Sequence, residues 1–311
     1  MNASAIPAPA VALARSDGDL AAMIEVRIHA DPDTPPPRLD NLRNNLAGNP
    51  ELAYVVARVG GTPVGCGFVD VTQDVVARSH VVVVPSARRR GIGTALLAFI
   101  SEHARASGRV QLEGPIRGHD HESLRFLDRR GFEKVGGEEA VALEIAEAEI
   151  LVSEPPLGIR IGSRAEMPDL VEEMYAVARE AEPDIPGGVE VRPFDVWRAT
   201  EIDRPSLRPE LTFLALAGDE VVGYAILDDL GGELWHRLTG VKRAWRRRGI
   251  ATALKLAQIH AAKAGGAARL VTTNEERNTA MRGINEALGY RPEPRLSTIV
   301  LRGPLLRAEG K

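Results

Sequence analysis

The sequence predicts an α/β protein of the α+β type, built from two tandem copies of one domain. Three observations carry that expectation. The order strand, two helices, three strands, helix, strand, helix, strand is legible twice along 311 residues, a length that accommodates two ordinary cores. The two passes share one constant offset: Gly65, Val83, Arg88, Gly91 and Gly131 recur as Gly223, Val241, Arg246, Gly249 and Gly289, with no insertion between the second strand and the last helix. In each copy an apolar strand runs into an arginine cluster, a glycine and an amphipathic helix.

In the first copy, Ala10 to Arg15 reads as a short strand after a loose terminus. Asp17 is placed to cap a helix through about His29, with Leu20, Met23, Ile24 and Ile28 on one face. The proline-rich stretch Asp31 to Pro37 interrupts it, and Leu39 to Leu46 forms a second short helix. Leu52 to Val59 and Pro63 to Val71 alternate as strands around Gly60-Gly61, a hairpin signal. Val75 to Val84 is a third strand, apolar enough at its end to lie inside a sheet, and Pro85 stops it. A helix from Thr94 to Ala106 ends at Gly108, followed by a strand at 110–116, a helix at 122–130 and a strand near 141–145.

The second copy repeats this order. Ile159 to Ile161 is a strand and 166–181 a helix; 194–200 is a short helix; 211–217 and 220–228 form a hairpin. Leu234 to Val241, 249–264, 269–273, 278–288 and 297–301 then alternate strand, helix, strand, helix, strand. The division expected is therefore 1–146, a linker at 147–156 ending in Ser153-Glu-Pro-Pro, and 157–311.

Composition excludes several classes. A net charge of −4 speaks against general nucleic-acid affinity. No apolar run approaches the roughly 18 residues of a membrane helix, so no membrane partner is expected. The opening Met1 to Ala10 lacks a basic n-region ahead of an apolar core, so it is not read as a signal peptide. One cysteine, Cys66, excludes an internal disulfide and fits a reducing, cytoplasmic location. His119 and His121 have no evident third ligand, so no metal is expected.

Val241-Lys-Arg-Ala-Trp-Arg-Arg-Arg-Gly-Ile-Ala-Thr252 is the stretch with chemical content. A glycine turn opening a helix presents unpaired N–H groups and the positive end of the helix dipole, which suit a phosphate or pyrophosphate. Arginine side chains can reach the same anion. No Gly-Lys-Ser/Thr follows, so this is not a P-loop.

Arg88-x-x-Gly91-x-Gly93 and Arg246-x-x-Gly249-x-Ala251, each after a hydrophobic strand, together with Asn274 to Asn278, Asn285 and Leu288-Gly289-Tyr290, resemble the GNAT superfamily of acetyl-CoA-dependent N-acetyltransferases. The resemblance covers nearly the whole chain, in two copies. It implies two tandem GNAT folds, each a mixed, mostly antiparallel sheet flanked by helices, whose fourth and fifth strands splay to admit acetyl-CoA. In the second copy the pantetheine arm would pair with Leu238, Thr239, Gly240 and Val241, where Gly240 suits a bulge or a close backbone approach. The pyrophosphate would sit at Arg246, Arg247, Arg248, Gly249, Ile250, Ala251 and Thr252. Asn274, Asn278 and Asn285 would hydrogen-bond the arm or the thiolate.

The first copy has Asp120 and Leu127 where the second has Asn278 and Asn285, and lacks an equivalent of Asn274. The first copy is therefore expected to be degenerate and the second catalytic. Many family members carry a tyrosine acid where Asn285 stands, and asparagine cannot give up a proton. Strict alternation along 234–241 puts Glu233, Trp235, Arg237 and Thr239 on one side and Leu234, His236 and Leu238 on the other. Glu233 and His236 are the candidate bases, one per face.

The function this implies is acetyl transfer to a primary amine of a small molecule. Between Ala165 and Glu210 there are 12 Asp/Glu against 5 Arg/Lys, an excess that would favour a cationic acceptor such as an amine-bearing antibiotic, with resistance as the outcome. A mycothiol synthase-like acetyltransferase, a protein acetyltransferase and a non-catalytic CoA-binding module are the alternatives. The sequence leaves the oligomeric state open.

Overall fold

A computed structural model describes residues 8–72, 75–146, 148–150, 152–186 and 191–307. Residues 1–7, where no signal peptide is expected, and positions 147 and 151 of the expected linker lie outside that description. In chain order the elements are β1 (Ala10–Leu13), α1 (Asp17–Ala30), α2 (Leu39–Gly48), β2 (Leu52–Val59), β3 (Thr62–Asp70), β4 (Val76–Val83), α3 (Ile92–Ala106), β5 (Gln111–Arg117), α4 (His121–Asp128) and β6 (Glu133–Glu144). The second series is β7 (Ile159–Ser163), α5 (Val171–Ala181), α6 (Phe194–Trp197), β8 (Phe213–Ala217), β9 (Glu220–Asp229), β10 (Leu234–Val241), α7 (Ile250–Ala264), β11 (Arg269–Glu275), α8 (Thr279–Ala287), β12 (Arg291–Pro292) and β13 (Thr298–Pro304).

The chain forms two compact units, Met1–Val135 with Ile299–Lys311, and Gly136–Thr298. These do not follow the expected division of 1–146 and 157–311. The closing strand of each sequence copy lies in the other unit. In the first unit the strand order is β1-β2-β3-β4-β5-β13, and in the second β6-β11-β10-β9-β8-β7. Leu143 and Ile145 of the first copy join the core of Leu234, Ile259, Leu270 and Tyr290. Leu301 of the second joins that of Leu96, Leu112 and Phe132. Gly303 fits there because it has no side chain: a Cβ would come within 2.4 Å of the Phe132 ring.

Local chemistry explains the elements. Ser16 and Asp19 form a reciprocal cap at the start of α1, so Ser16 is the N-cap rather than Asp17. Gly60 and Gly61 have φ of 57° and 84°, the positive values that a tight turn needs to match strand twist. Along β2, Val55 and Ala57 face a core shared with α3, while Tyr54 and Val56 face one shared with α1 and α2. The first unit thus has helices on both faces of its sheet, as the strand's period of two requires.

Each unit contains a parallel pairing in an otherwise antiparallel setting, and that pairing is short. β4 runs parallel to β5 only over Val76–Arg78 against Gln111–Glu113. Both strands then continue, to Val83 and Arg117, without pairing to each other. Gly114 stands where they part; a Cβ there would lie 2.0 Å from the Ser79 carbonyl oxygen. In the second unit β10 pairs with β11 over Leu234–His236 and Leu270–Thr272, and a bulge follows between His236 and Leu238.

The bulge falls at Arg237, not at Gly240. Gly240 instead admits α5, since its Cβ would stand 3.0 Å from the Ala181 Cβ. The extra residue also breaks the expected alternation. His236 contacts Gln258 on α7, whereas Leu238 packs with Val177 and Ala181 of α5. These two residues therefore lie on opposite faces.

Candidate functional site

The two helix-opening turns share one backbone. Arg89 and Arg247 have φ of 63° and 61°, and Gly91 and Gly249 have φ of 76° and 81°. A left-handed conformation costs a non-glycine residue roughly 1–2 kcal/mol, and both copies keep it at the same place. Such left-handed residues recur at ligand clamps and active sites. Gly91 and Gly249 are N-caps without a side-chain cap bond. The first bonds back to them come from Ala95 N–H and Ala253 N–H. The amides of Ile92, Gly93 and Thr94, and of Ile250, Ala251 and Thr252, precede the first helical bonds and can meet an anion.

The leading arginine of the motif ties the turn to the strand before it. Arg88 Nε donates to the Val83 carbonyl and Arg246 Nε to the Val241 carbonyl. Each closes its turn onto the end of its strand. The rest of the Arg246 guanidinium donates to Asp184 at 2.7 Å and to the Glu180 carbonyl. Hydrogen bonds from Arg243 and Arg246 hold the Asp184 carboxyl well below the usual range. Arg248 donates to the Ala244 carbonyl and lies over the Trp245 ring. Arg246 and Arg248 are thus occupied by the protein itself.

An open cleft lies in the first unit. A cavity of 430 Å³ occupies the gap where β4 and β5 part. Its walls include Ser79 to Val83, Gly114 to Arg117, the turn from Arg88 to Thr94, and Ser123, Phe126 and Leu127 of α4. The lining also includes Ala30 and Asp31 at the end of α1. Arg88 and Arg89 approach Glu122 at 3.5 and 3.8 Å, and Arg88 approaches Asp120 at 3.9 Å. Asp120 caps α4 by accepting from the Ser123 N–H, just as Asn278 caps α8 through Met281 N–H. The Asp120/Asn278 difference is therefore a choice between two N-cap residues. Burial works to raise the Asp120 pKa, but the Ser123 hydrogen bonds and Arg88 outweigh it and hold the carboxyl low.

The corresponding interior of the second unit is packed. Lys255 takes the place of Leu97, which lines the cavity, and its buried ammonium nitrogen has no hydrogen-bond partner and lies over the Tyr290 ring. Asn274 and Asn285 are 6% and 1% exposed, with Nδ2 of both and Oδ1 of Asn285 buried and unpartnered. Of the expected arm-binding strand, Leu238 and Gly240 pack against α5, Val241 enters the core with Ile250 and Leu254, and Thr239 is half-buried.

Neither candidate base lines that cavity. Glu233 accepts from Trp235 Nε1 and pairs with Arg269. It precedes the paired segment of β10, on the far side from the splay. His236 is buried; its Nδ1 meets Gln258 Oε1, and its Nε2 meets the Tyr290 hydroxyl. Gln258 in turn donates to the Leu211 carbonyl. Burial first, then the charge of Lys255, holds the His236 pKa well below its usual value. This is a satisfied core histidine. His236→Leu is expected to leave turnover within about twofold while destabilising the fold by about 1–3 kcal/mol through the stranded Gln258 and Tyr290 groups. A steady-state rate beside a urea melt checks this; a large rate loss at unchanged stability would restore the catalytic reading.

A sequence profile described as the Acetyltransferase (GNAT) family matches residues 20–132 and 171–290. The chain belongs to that family. Among solved structures, the GNAT fold recurs in a tandem GNAT protein from the clavulanic acid biosynthesis pathway, solved without AcCoA (TM-score 0.74, 18% identity, 97% of this chain and 100% of that one). It recurs also in a GCN5-related N-acetyltransferase from Sphaerobacter thermophilus (0.71, 21%, 97% and 98%) and in a putative acetyltransferase from Pyrococcus horikoshii (0.65, 15%, 97% and 91%). No curated protein matches the sequence significantly. Among the described residues no helix is long and apolar enough to cross a membrane, and no cluster of three metal-ligating side chains occurs. Sequence reasoning did not single out Asp31, His80 and Arg117, which line the first cavity; His80 among the valines of β4 was the available signal.

Proposed function

We propose that this GNAT chain transfers an acetyl group from acetyl-CoA to a primary amine of a small molecule, and that the first unit holds the donor. The observation that carries the reading is the 430 Å³ cavity joining the splayed strands to the Arg88–Thr94 turn. The residues present fit a CoA thioester. Amides of Ile92, Gly93 and Thr94 suit its pyrophosphate. Beyond Arg78 the β4 edge toward β5 has no strand partner, so its N–H and C=O groups can pair with an amide-bearing arm as an added strand would. Leu97, Phe126, Leu127 and Phe132 supply an apolar wall.

When bound, acetyl-CoA supplies an activated acyl carbon. The chain's part is to hold the acceptor nitrogen against that carbon, and to place backbone N–H donors of β4 where the carbonyl oxygen gains charge. Leu127 cannot return a proton to the leaving thiolate, so water has that role. The antibiotic-resistance reading rests on the acidic excess at 165–210, and there Asp184, Glu201, Asp203 and Glu210 are each paired with an arginine. The acceptor proposed is accordingly an amine without that restriction.

Incubation with acetyl-CoA and a panel of primary amines, following thiol release and product mass, tests the proposal. The expected result is acetyl-CoA-dependent thiol release with a product heavier by one acetyl group. Tight CoA binding without turnover on any amine would favour a CoA-binding module instead.

A further inference from the structure

The α1 end of the first cavity carries a group of charged and polar side chains that the donor does not use. Asp31, the C-cap of α1, and Arg117, at the end of β5, both line it. The Asp31 carboxylate accepts from Thr34 Oγ1 at 2.8 Å and from Arg117 at 3.4 Å, and Arg117 also donates to the Thr34 hydroxyl. Thr34 thus holds the aspartate and the arginine in register. Neither charge is fully exposed: the side chains of Arg117 and Asp31 are 19% and 21% accessible, so their pull on a ligand is less screened than at an open surface.

His80 lines the same cavity on the opposite strand of the gap, within the field of Asp31 and Arg117. Its Nδ1 contacts the Arg27 guanidinium at 3.4 Å. A guanidinium can only donate, so Nδ1 is the acceptor and the ring proton of the neutral imidazole sits on Nε2. Burial and the charges of Arg27 and Arg117, only partly offset by Asp31, push the His80 pKa down to about 4. The ring is therefore a neutral donor near pH 7, not a base. The charged side chains that line the cavity beside His80 are Arg117 and Asp31, opposite in sign, which favours an acceptor with an anion beside its amine.

We propose that this end is the acceptor subsite and that it selects an amine bearing a carboxylate on the adjacent carbon, as in an α-amino acid. Arg117 binds the carboxylate, His80 Nε2–H donates a further bond to it, and Asp31 receives the ammonium. The inference rests on the donor lying in the first unit. In the reaction the ammonium first releases one proton to water. The free nitrogen then forms a bond to the acyl carbon as the carbon–sulfur bond breaks, and the second nitrogen proton passes through water to the thiolate. The products are an N-acetyl amino acid and the free thiol.

The test uses the full chain with acetyl-CoA and the proteinogenic L-amino acids, each beside its carboxamide at matched free-amine concentration. At least one acid should exceed its amide in kcat/KM by about tenfold or more, the effect of one charge-assisted contact. Arg117→Gln should bring that ratio to about one and leave the KM for acetyl-CoA within about twofold. Should Arg117→Gln fail to fold, the wild-type ratio decides alone. Amides equal to or better than acids, or a preference that survives Arg117→Gln, would overturn the proposal. Turnover of other amines with no amino acid acetylated would overturn it too and leave the acetyltransferase reading standing. No turnover on any amine would remove both.

Discussion

Gly91→Glu should weaken acetyl-CoA binding by about a hundredfold or more, and Gly249→Glu should change it by no more than about threefold. Gly91 has φ of 76°, so any side chain there adds left-handed strain of roughly 1–2 kcal/mol to a turn that already carries it at Arg89. Charge repulsion matters more than this strain. A carboxylate at the N-cap is placed against the pyrophosphate, in the field that the Ile92 to Thr94 amides supply. Gly249 occupies the same backbone geometry with φ of 81°, but the interior of its unit is packed, with Lys255, Asn274 and Asn285 buried. Calorimetric titration of both variants, with melts to confirm folding, reads the difference. Loss of binding in Gly249→Glu alone would reassign the donor to the second unit.

Lys255→Met should stabilise the chain by several degrees at pH 7, with the gain shrinking as pH rises toward 10. The Lys255 ammonium is fully buried without a hydrogen-bond partner, so ionising it in the fold is costly. Burial pushes its pKa down from 10.5 to about 7. The sign follows from proton counts. Between about 7 and 10.5 the unfolded chain keeps the proton and the folded chain does not, so stability rises with pH in that window, by at most about 1.4 kcal/mol per pH unit. Below about 7 both states are protonated and the full penalty is present. Methionine has similar length and no charge, and removes both the penalty and its pH dependence. Urea melts of the two proteins at pH 7 and pH 10 read this difference. Parallel stability curves would show that Lys255 has a partner or a route to water.

Much of the fold was legible because its signals are local. The paired glycines at Gly60-Gly61, the helix stop at Gly108, and the Arg-x-x-Gly turns each fix a backbone conformation within a few residues. Their constant spacing then revealed the repeat. The exchange of β6 and β13 was not legible, since an alternating strand shows that one face is buried without saying in which sheet. Nor was the bulge at Arg237, which moved Leu238 to the face opposite His236. For the site, the sequence pointed to the helix-opening turns and read Asp120 and Leu127 as signs of a degenerate copy; in the structure Asp120 caps α4 and Leu127 lines the cavity. A lysine at 255 reads as a solvent-facing helix residue; only packing shows it buried where Leu97 borders an open cavity. Asp31, Thr34 and Arg117 are too far apart in the chain for sequence to group them.

Whether the cleft of the first unit receives the CoA thioester is tested most directly by a crystal structure of the full chain grown with acetyl-CoA. The expected result is pyrophosphate density on the amides of Ile92 to Thr94, with the pantetheine arm along Ser79 to Val83. Density confined to Ile250 to Thr252, with Lys255 displaced and the first cavity filled only by solvent, would contradict it.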